Sequence, residues 1–151
     1  MVKVLRANPE DSEQIARCTR DAYSDEIFKF DDKKKISERP TADEVRQDIE
    51  DYDYYKIVLG DTIIGGVFIV EEDAQTVSVE DFCIDPVYQN RGYGKFVLEE
   101  LERIHSAIKK WMLTTPVYSV GNQHLYEKHG YKRVKIDDYD GILCVYYEKI
   151  V

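Results

Sequence analysis

Apolar and polar residues alternate from Val2 to Arg6 as in a short strand. Asn8-Pro9-Glu10-Asp11-Ser12 then supplies N-cap and first-turn chemistry for a helix carrying Ile15, Ala16, Cys18 and Ala22. From Tyr23 to Pro40 the period is lost and the chain becomes charged, through Asp31-Asp32-Lys33-Lys34-Lys35, so an irregular stretch able to hold a substrate-binding loop is expected. Thr41-Ala42-Asp43-Glu44 caps a short helix containing Val45 and Ile49. Tyr54 to Leu59 and Thr62 to Val70, rich in β-branched and aromatic residues, form a hairpin about a II′ turn at Gly60-Asp61.

After a polar turn at Glu71-Glu72-Asp73 a fourth strand runs from Gln75 to Ile84, with Val77 and Val79 apolar and then Phe82 and Ile84. The phase slips by one between Glu80 and Asp81. Strand side chains alternate strictly, so the slip predicts a β-bulge if both pairs face one core; a strand buried on both faces is the alternative. A bulge bends the strand and leaves backbone amides without a strand partner.

Asp85-Pro86 stops this strand, and a glycine-bearing turn opens a long helix with Val97, Leu101, Ile104, Ile108 and Trp111 in one stripe. Its other face carries Glu99, Glu100, Glu102, Arg103, Lys109 and Lys110, acidic early and basic late as the helix dipole prefers. A fifth strand near Met112 to Tyr118, a helix from about Asn122 to His129 ending at Gly130, and a hairpin turning at Asp140-Gly141 complete the order β-α-α-β-β-β-α-β-α-β-β. The fold class is α/β (α+β).

Composition narrows what such a fold can do. A chain of 151 residues, 43% hydrophobic and 34% charged, is expected to fold as a single domain spanning 1–151 without staples. Cys18, Cys83 and Cys144 are odd in number and unpaired by spacing, and His105, His124 and His129 lack ligand company, so no metal site and a reducing, cytoplasmic setting are expected. Residues 1–11 show neither a secretory nor a transit pattern, and the longest apolar run, Ile63 to Val70, is interrupted by Gly65 and Gly66. A net charge of −9 argues against nucleic acid or anionic membrane as partners and suits a cationic one.

Gln89-Asn90-Arg91-Gly92-Tyr93-Gly94-Lys95 lies between a strand end and a helix start. Two glycines permit a tight turn and close ligand approach, the first helical turn offers unsatisfied N–H donors, and Arg91 and Lys95 add countercharge, so a diphosphate fits there. The helix dipole contributes only about 0.3–1 kcal/mol, leaving most of the affinity to direct amide and side-chain hydrogen bonds. A dinucleotide-binding turn would need a third glycine where Lys95-Phe96-Val97 stands, and a P-loop would need G-K-[ST].

Gln89-Asn90-Arg91-Gly92-Tyr93-Gly94 resembles the Q/R-x-x-G-x-G/A signature of the GNAT superfamily of N-acetyltransferases, and Asn122-Gln123-His124-Leu125-Tyr126-Glu127-Lys128-His129-Gly130-Tyr131 resembles its N-x-x-L-Y-x-K-x-G-F/Y segment. The resemblance implies a mixed, mostly antiparallel central sheet with a bulged fourth strand and helices on both faces. It implies acetyl-coenzyme A as co-substrate, its pantetheine arm beside Phe82, Cys83 and Ile84, and its pyrophosphate on Gln89, Asn90, Arg91, Gly92, Tyr93, Gly94 and Lys95. Asn122 and Tyr126 match positions bordering pantetheine and the thioester sulfur; Lys128 matches one near the adenosine phosphates, but a solvated surface lysine is the preferred reading of it. The glutamate that many members carry in the fifth strand is missing from Thr114-Thr115-Pro116-Val117-Tyr118.

Acetyl transfer to an amine has its own demands. An ammonium of pKa about 10.4 holds its proton at pH 7 by about 4.6 kcal/mol, so an acceptor for it is needed. Glu80, with Asp81 beside it and water as the remaining choice, is the expected base, and Tyr126 the acid that protonates the departing thiolate. Acceptors are expected to be cationic amines, a small molecule or a protein, held by Asp25, Glu26 or Asp31. The alternative function is a catalytically silent coenzyme A-binding sensor or interaction module; a homodimer is left open.

Overall fold

The computed structural model describes residues 1–31 and 37–151, the side chains of residues 28–31 excepted. Seven strands, β1 (Val2–Arg6), β2 (Asp53–Leu59), β3 (Thr62–Asp73), β4 (Thr76–Ile84), β5 (Lys110–Pro116), β6 (Lys132–Tyr139) and β7 (Ile142–Ile150), make one sheet in the order β1-β2-β3-β4-β5-β7-β6. All neighbours are antiparallel except β4 and β5. Four helices, α1 (Ser12–Asp31), α2 (Ala42–Asp51), α3 (Tyr93–Ile104) and α4 (Val120–Lys128), connect them.

Strand alternation sorts the core into two layers. Tyr55, Val67 and Ile69 pack with Val97, Leu98 and Leu101 of α3 and Tyr126 of α4; Tyr54 and Phe68 pack with Ile15 and Ala16 of α1 and Val45 of α2. Helices therefore cover both faces. The two hairpin turns follow their residues: φ is positive at Gly60 but not at Asp61, as a II′ turn requires, and positive at both Asp140 and Gly141, as I′ requires. Thr41 accepts from the Glu44 amide while Glu44 caps the Thr41 amide, which fixes the start of α2.

Three expectations are corrected. Tyr23 to Asp31 continues α1 and is not irregular; the charged run beyond it, residues 32–36, lies outside the described residues. The turn after β3 falls at Ala74-Gln75 because β3 runs on through Glu71-Glu72-Asp73. The long helix ends at Ile104, where the His105 amide bonds to the Leu101 carbonyl at 2.9 Å; Ile108 lies in the following turn, and Lys110 and Trp111 open β5. Lys109 and Lys110 are thus no part of the helical face.

The bulge is present. Gly66 pairs with Cys83 and Phe68 with Glu80, so Val67 faces two residues, Asp81 and Phe82, and Asp81 takes φ 46°. Val77, Val79 and Ile84, with Phe82 at the edge, all join the α3-side core, which is what the one-residue slip demanded. Gly65 makes this register possible: a β-carbon there would lie 2.1 Å from the Cys83 carbonyl oxygen. Gly65→Ala must push β3 and β4 apart, and overpacking of this kind costs about 1–3 kcal/mol. The expected result is a melting point lower by roughly 3–10 °C, measured by thermal unfolding; an unshifted transition would show that the strand pair yields at no cost.

No helix among the described residues is long and apolar enough to cross a membrane.

Candidate active site

β4 and β5 are parallel neighbours over three pairs only, Thr76–Lys110, Val77–Trp111 and Ser78–Met112, and then part. Beyond Ser78, β4 keeps β3 on one side and has no paired strand on the other, and the bulge lies in this open stretch. Phe82, Cys83 and Ile84 therefore run along the cleft, where an extended ligand can add to the strand edge through backbone hydrogen bonds.

The cleft leads to the turn before α3. Asp85 accepts from the Val87 amide at 3.0 Å and meets Arg17 of α1 at 3.5 Å; the Gln89 amide group donates to the Ile84 carbonyl at 2.7 Å. These bonds fasten the turn to the strand end, so Gln89 acts as a strut here. Asn90 and Gly92 take φ of 63° and 83°, with Gly92 as N-cap of α3. Among the described residues the amides from Asn90 to Lys95 have no carbonyl or side-chain acceptor, whereas Gln89 and Phe96 bond to Pro86 and Gly92. These donors stand without a protein acceptor at a helix start, with exposed Arg91 and Lys95 flanking them. Gly94 has a packing role as well, since a β-carbon there would meet Leu125 of α4 at 2.8 Å.

A β-carbon on Gly92 would meet no protein atom within 4 Å, so the space before these amides is open. Gly92→Val puts a branched side chain into it at a φ that L-residues avoid. Coenzyme A affinity is expected to fall by about 10-fold or more by calorimetry, the size of one to two charge-assisted hydrogen bonds. Unchanged affinity would remove the turn from the site.

Across the cleft, α4 is tied down by Asn122, whose amide donates to Thr115 at 3.3 Å, and by Gln123, which donates to the Val117 carbonyl at 2.8 Å. Tyr126 is buried, its ring centroid 5.9 Å from Tyr147 and 6.0 Å from Tyr131. Burial pushes its hydroxyl pKa up, with Cys83, Tyr147 and Glu26 adding to the effect, so the group stays protonated and lies in electrostatic reach of the bulge and of α1. Lys128 is exposed.

The carboxylates divide between two environments. Asp81 accepts from the Tyr23 hydroxyl at 2.9 Å, and burial raises its pKa against the lowering effect of that bond. Glu80 accepts from Ser78 at 2.5 Å; burial raises its pKa first, with Asp81 and Glu72 adding to it. Tyr23 is not singled out by the sequence because the stretch that begins with it reads as irregular, whereas Tyr23, Ile27 and Phe30 in fact continue the helical spacing of α1. Glu26 on α1 adds to the upward pKa shifts of Cys83 and Tyr126, whereas the side chain of Asp31 lies outside the described residues. No group of three or more His, Cys, Asp and Glu side chains among the described residues is placed to hold a metal.

A family model described as an acetyltransferase (GNAT) domain matches residues 50–133, more than half of the chain. The chain belongs to the GNAT family of acetyltransferases. Solved structures with the same fold include the PaiA N-acetyltransferase of Thermoplasma acidophilum in complex with coenzyme A, at 19% identity and TM-score 0.80, covering 100% of this chain and 99% of that one. A GNAT acetyltransferase of Streptococcus agalactiae aligns at 16% identity and TM-score 0.81, over 99% of this chain and 95% of its own. One from Elizabethkingia anophelis with acetyl-CoA bound aligns at 17% identity and TM-score 0.65, over 99% and 98%. Comparison with curated proteins finds no match. For a GNAT acetyltransferase, the free amides before α3 and the unpaired edge of β4 are a fitting cradle for coenzyme A.

Proposed function

We propose that this chain moves the acetyl group of acetyl-coenzyme A to a primary amine. The observation that carries the reading is the cleft itself: an unpaired, bulged β4 edge that runs into a turn of unpartnered amides and has a buried, protonated tyrosine opposite it. Acetyl-coenzyme A supplies the acetyl group and a thiol leaving group. Tyr126 gives the thiolate its proton: burial keeps its phenol neutral and so still carrying a proton, although the same burial makes that proton harder to release. Glu80 takes the proton from the incoming ammonium: it is half-buried, its affinity for protons is raised, and it has no cationic partner among the described residues. Glu26, whose charge is felt at Cys83 and Tyr126, draws a cationic acceptor to the mouth of the cleft. The three cysteines are free and buried, which supports a reducing, cytoplasmic setting.

Thiol release from acetyl-coenzyme A, screened over an amine library, tests this. Turnover is expected with cationic primary amines and not with neutral or anionic compounds. Tight coenzyme A binding with no release on any amine would leave the chain as a binding module.

A further inference from the structure

The α1/α2 face of the sheet stays open beyond β4. Leu113 and Tyr147 turn into the α3-side core, so Met112, Thr114, Tyr146 and Glu148, which alternate with them, face the other way. There they border a cavity of 210 Å³ that is also lined by Glu80 and by Lys135 and Tyr139 of β6. Tyr139 of β6 lines the same cavity as Glu80, and Glu80 is the foremost influence raising the pKa of the Tyr139 hydroxyl. Glu148 is already paired with Lys110 at 3.0 Å, which leaves Glu80 as the cavity's carboxylate without a cation.

The cavity also holds an ammonium that belongs to the protein. Lys135 Nζ lies 4.7 Å from the centroid of the Tyr146 ring, and its nearest carboxylate, Asp137, stands 3.6 Å away in solvent. Tyr146 is held in place by its own hydroxyl, which donates to the Asp138 carbonyl at 3.3 Å. A ring face fixed in this way attracts any alkylammonium, and a lysine that is more than half exposed gives up its place easily. Between Glu80 and Tyr146 the walls are Met112 and Val134, suited to methylene groups.

We propose that this cavity is a subsite for a second ammonium of the acceptor, that Tyr146 receives it, and that Lys135 is the internal cation it displaces. The preferred acceptor is therefore an α,ω-diammonium alkane, one amine at Glu80 and the other on the Tyr146 ring. This rests on the reading of Glu80 as the proton acceptor in amine acetylation. It accounts for a weakly paired, exposed lysine on an aromatic face in the cavity that Glu80 lines, and it makes Lys135 and Tyr146 specificity-determining residues.

The experiment compares a diaminoalkane with the monoamine of the same chain length in the wild-type protein, Lys135→Met and Tyr146→Leu. The ratio of kcat/KM for diamine over monoamine is expected to rise by about 3- to 10-fold in Lys135→Met and to fall by about as much in Tyr146→Leu. Calorimetric binding of the diamine to the coenzyme A-loaded protein should follow the same order. A ratio equal in all three proteins overturns the subsite and leaves amine acetylation standing. Tyr146-dependent diamine binding with no acetylation of any amine supports the subsite and overturns the transfer reaction.

Discussion

Tyr126→Phe is expected to lower turnover by about 10²-fold or more while coenzyme A affinity stays within about twofold. The substitution keeps the ring between Tyr131 and Tyr147, 6.0 and 5.9 Å away, so packing changes little. It removes one hydroxyl. No hydrogen bond joins that hydroxyl to another described residue, so its loss strands no partner. A fall in turnover without a fall in melting point or cofactor affinity therefore reports the missing proton. Near-normal turnover would make Tyr126 a packing residue with water as the proton source.

Glu80→Gln is expected to cost about 10²-fold in kcat/KM at neutral pH, with a distinctive pH signature. Glu80 must be ionised to act, and burial holds its pKa above the ordinary carboxylate value. Activity of the wild-type protein should thus fall as pH drops through that raised pKa, whereas the glutamine variant lacks this acid limb. The gain from deprotonating the acceptor at high pH remains in both. Asp81→Asn serves as the control, because Asp81 is engaged by Tyr23 at 2.9 Å. If Asp81→Asn abolishes the acid limb and Glu80→Gln preserves it, the base is Asp81.

The fold was legible where local chemistry dictates local shape. Gly60-Asp61 and Asp140-Gly141 adopt the turns their residues favour, and the slip from Val79 to Phe82 marked the bulge at Asp81. It misled where tertiary contacts decide. Val97, Leu101, Ile104, Ile108 and Trp111 keep helical spacing across a turn that has no Gly or Pro to announce it, so the end of α3 was read too late. In α1 the second half does keep a helical stripe, Tyr23, Ile27 and Phe30 at i, i+4 and i+7, but it merges into the charged run that follows, which hides where the period ends; Tyr23 is held through its hydroxyl by Asp81, 58 residues away. Of the site, the Gln89–Lys95 turn and the Asn122–Tyr131 segment could be read because each is a contiguous motif. Tyr139, Tyr146 and Lys135 could not, since their sharing a cavity with Glu80 depends on tertiary packing between strands far apart in the chain.

The parting of β4 and β5 after Ser78 and Met112 leaves the sheet one strand short along its middle. With a pantetheine arm laid against β4, the amides on that edge should exchange with deuterated solvent far more slowly than in the resting protein. The acetyl donor then acts as a removable piece of the fold. A ligand present at a hundred times its dissociation constant adds about 2.7 kcal/mol to stability. Emptied of its donor, such a domain is expected to unfold more readily than the loaded form.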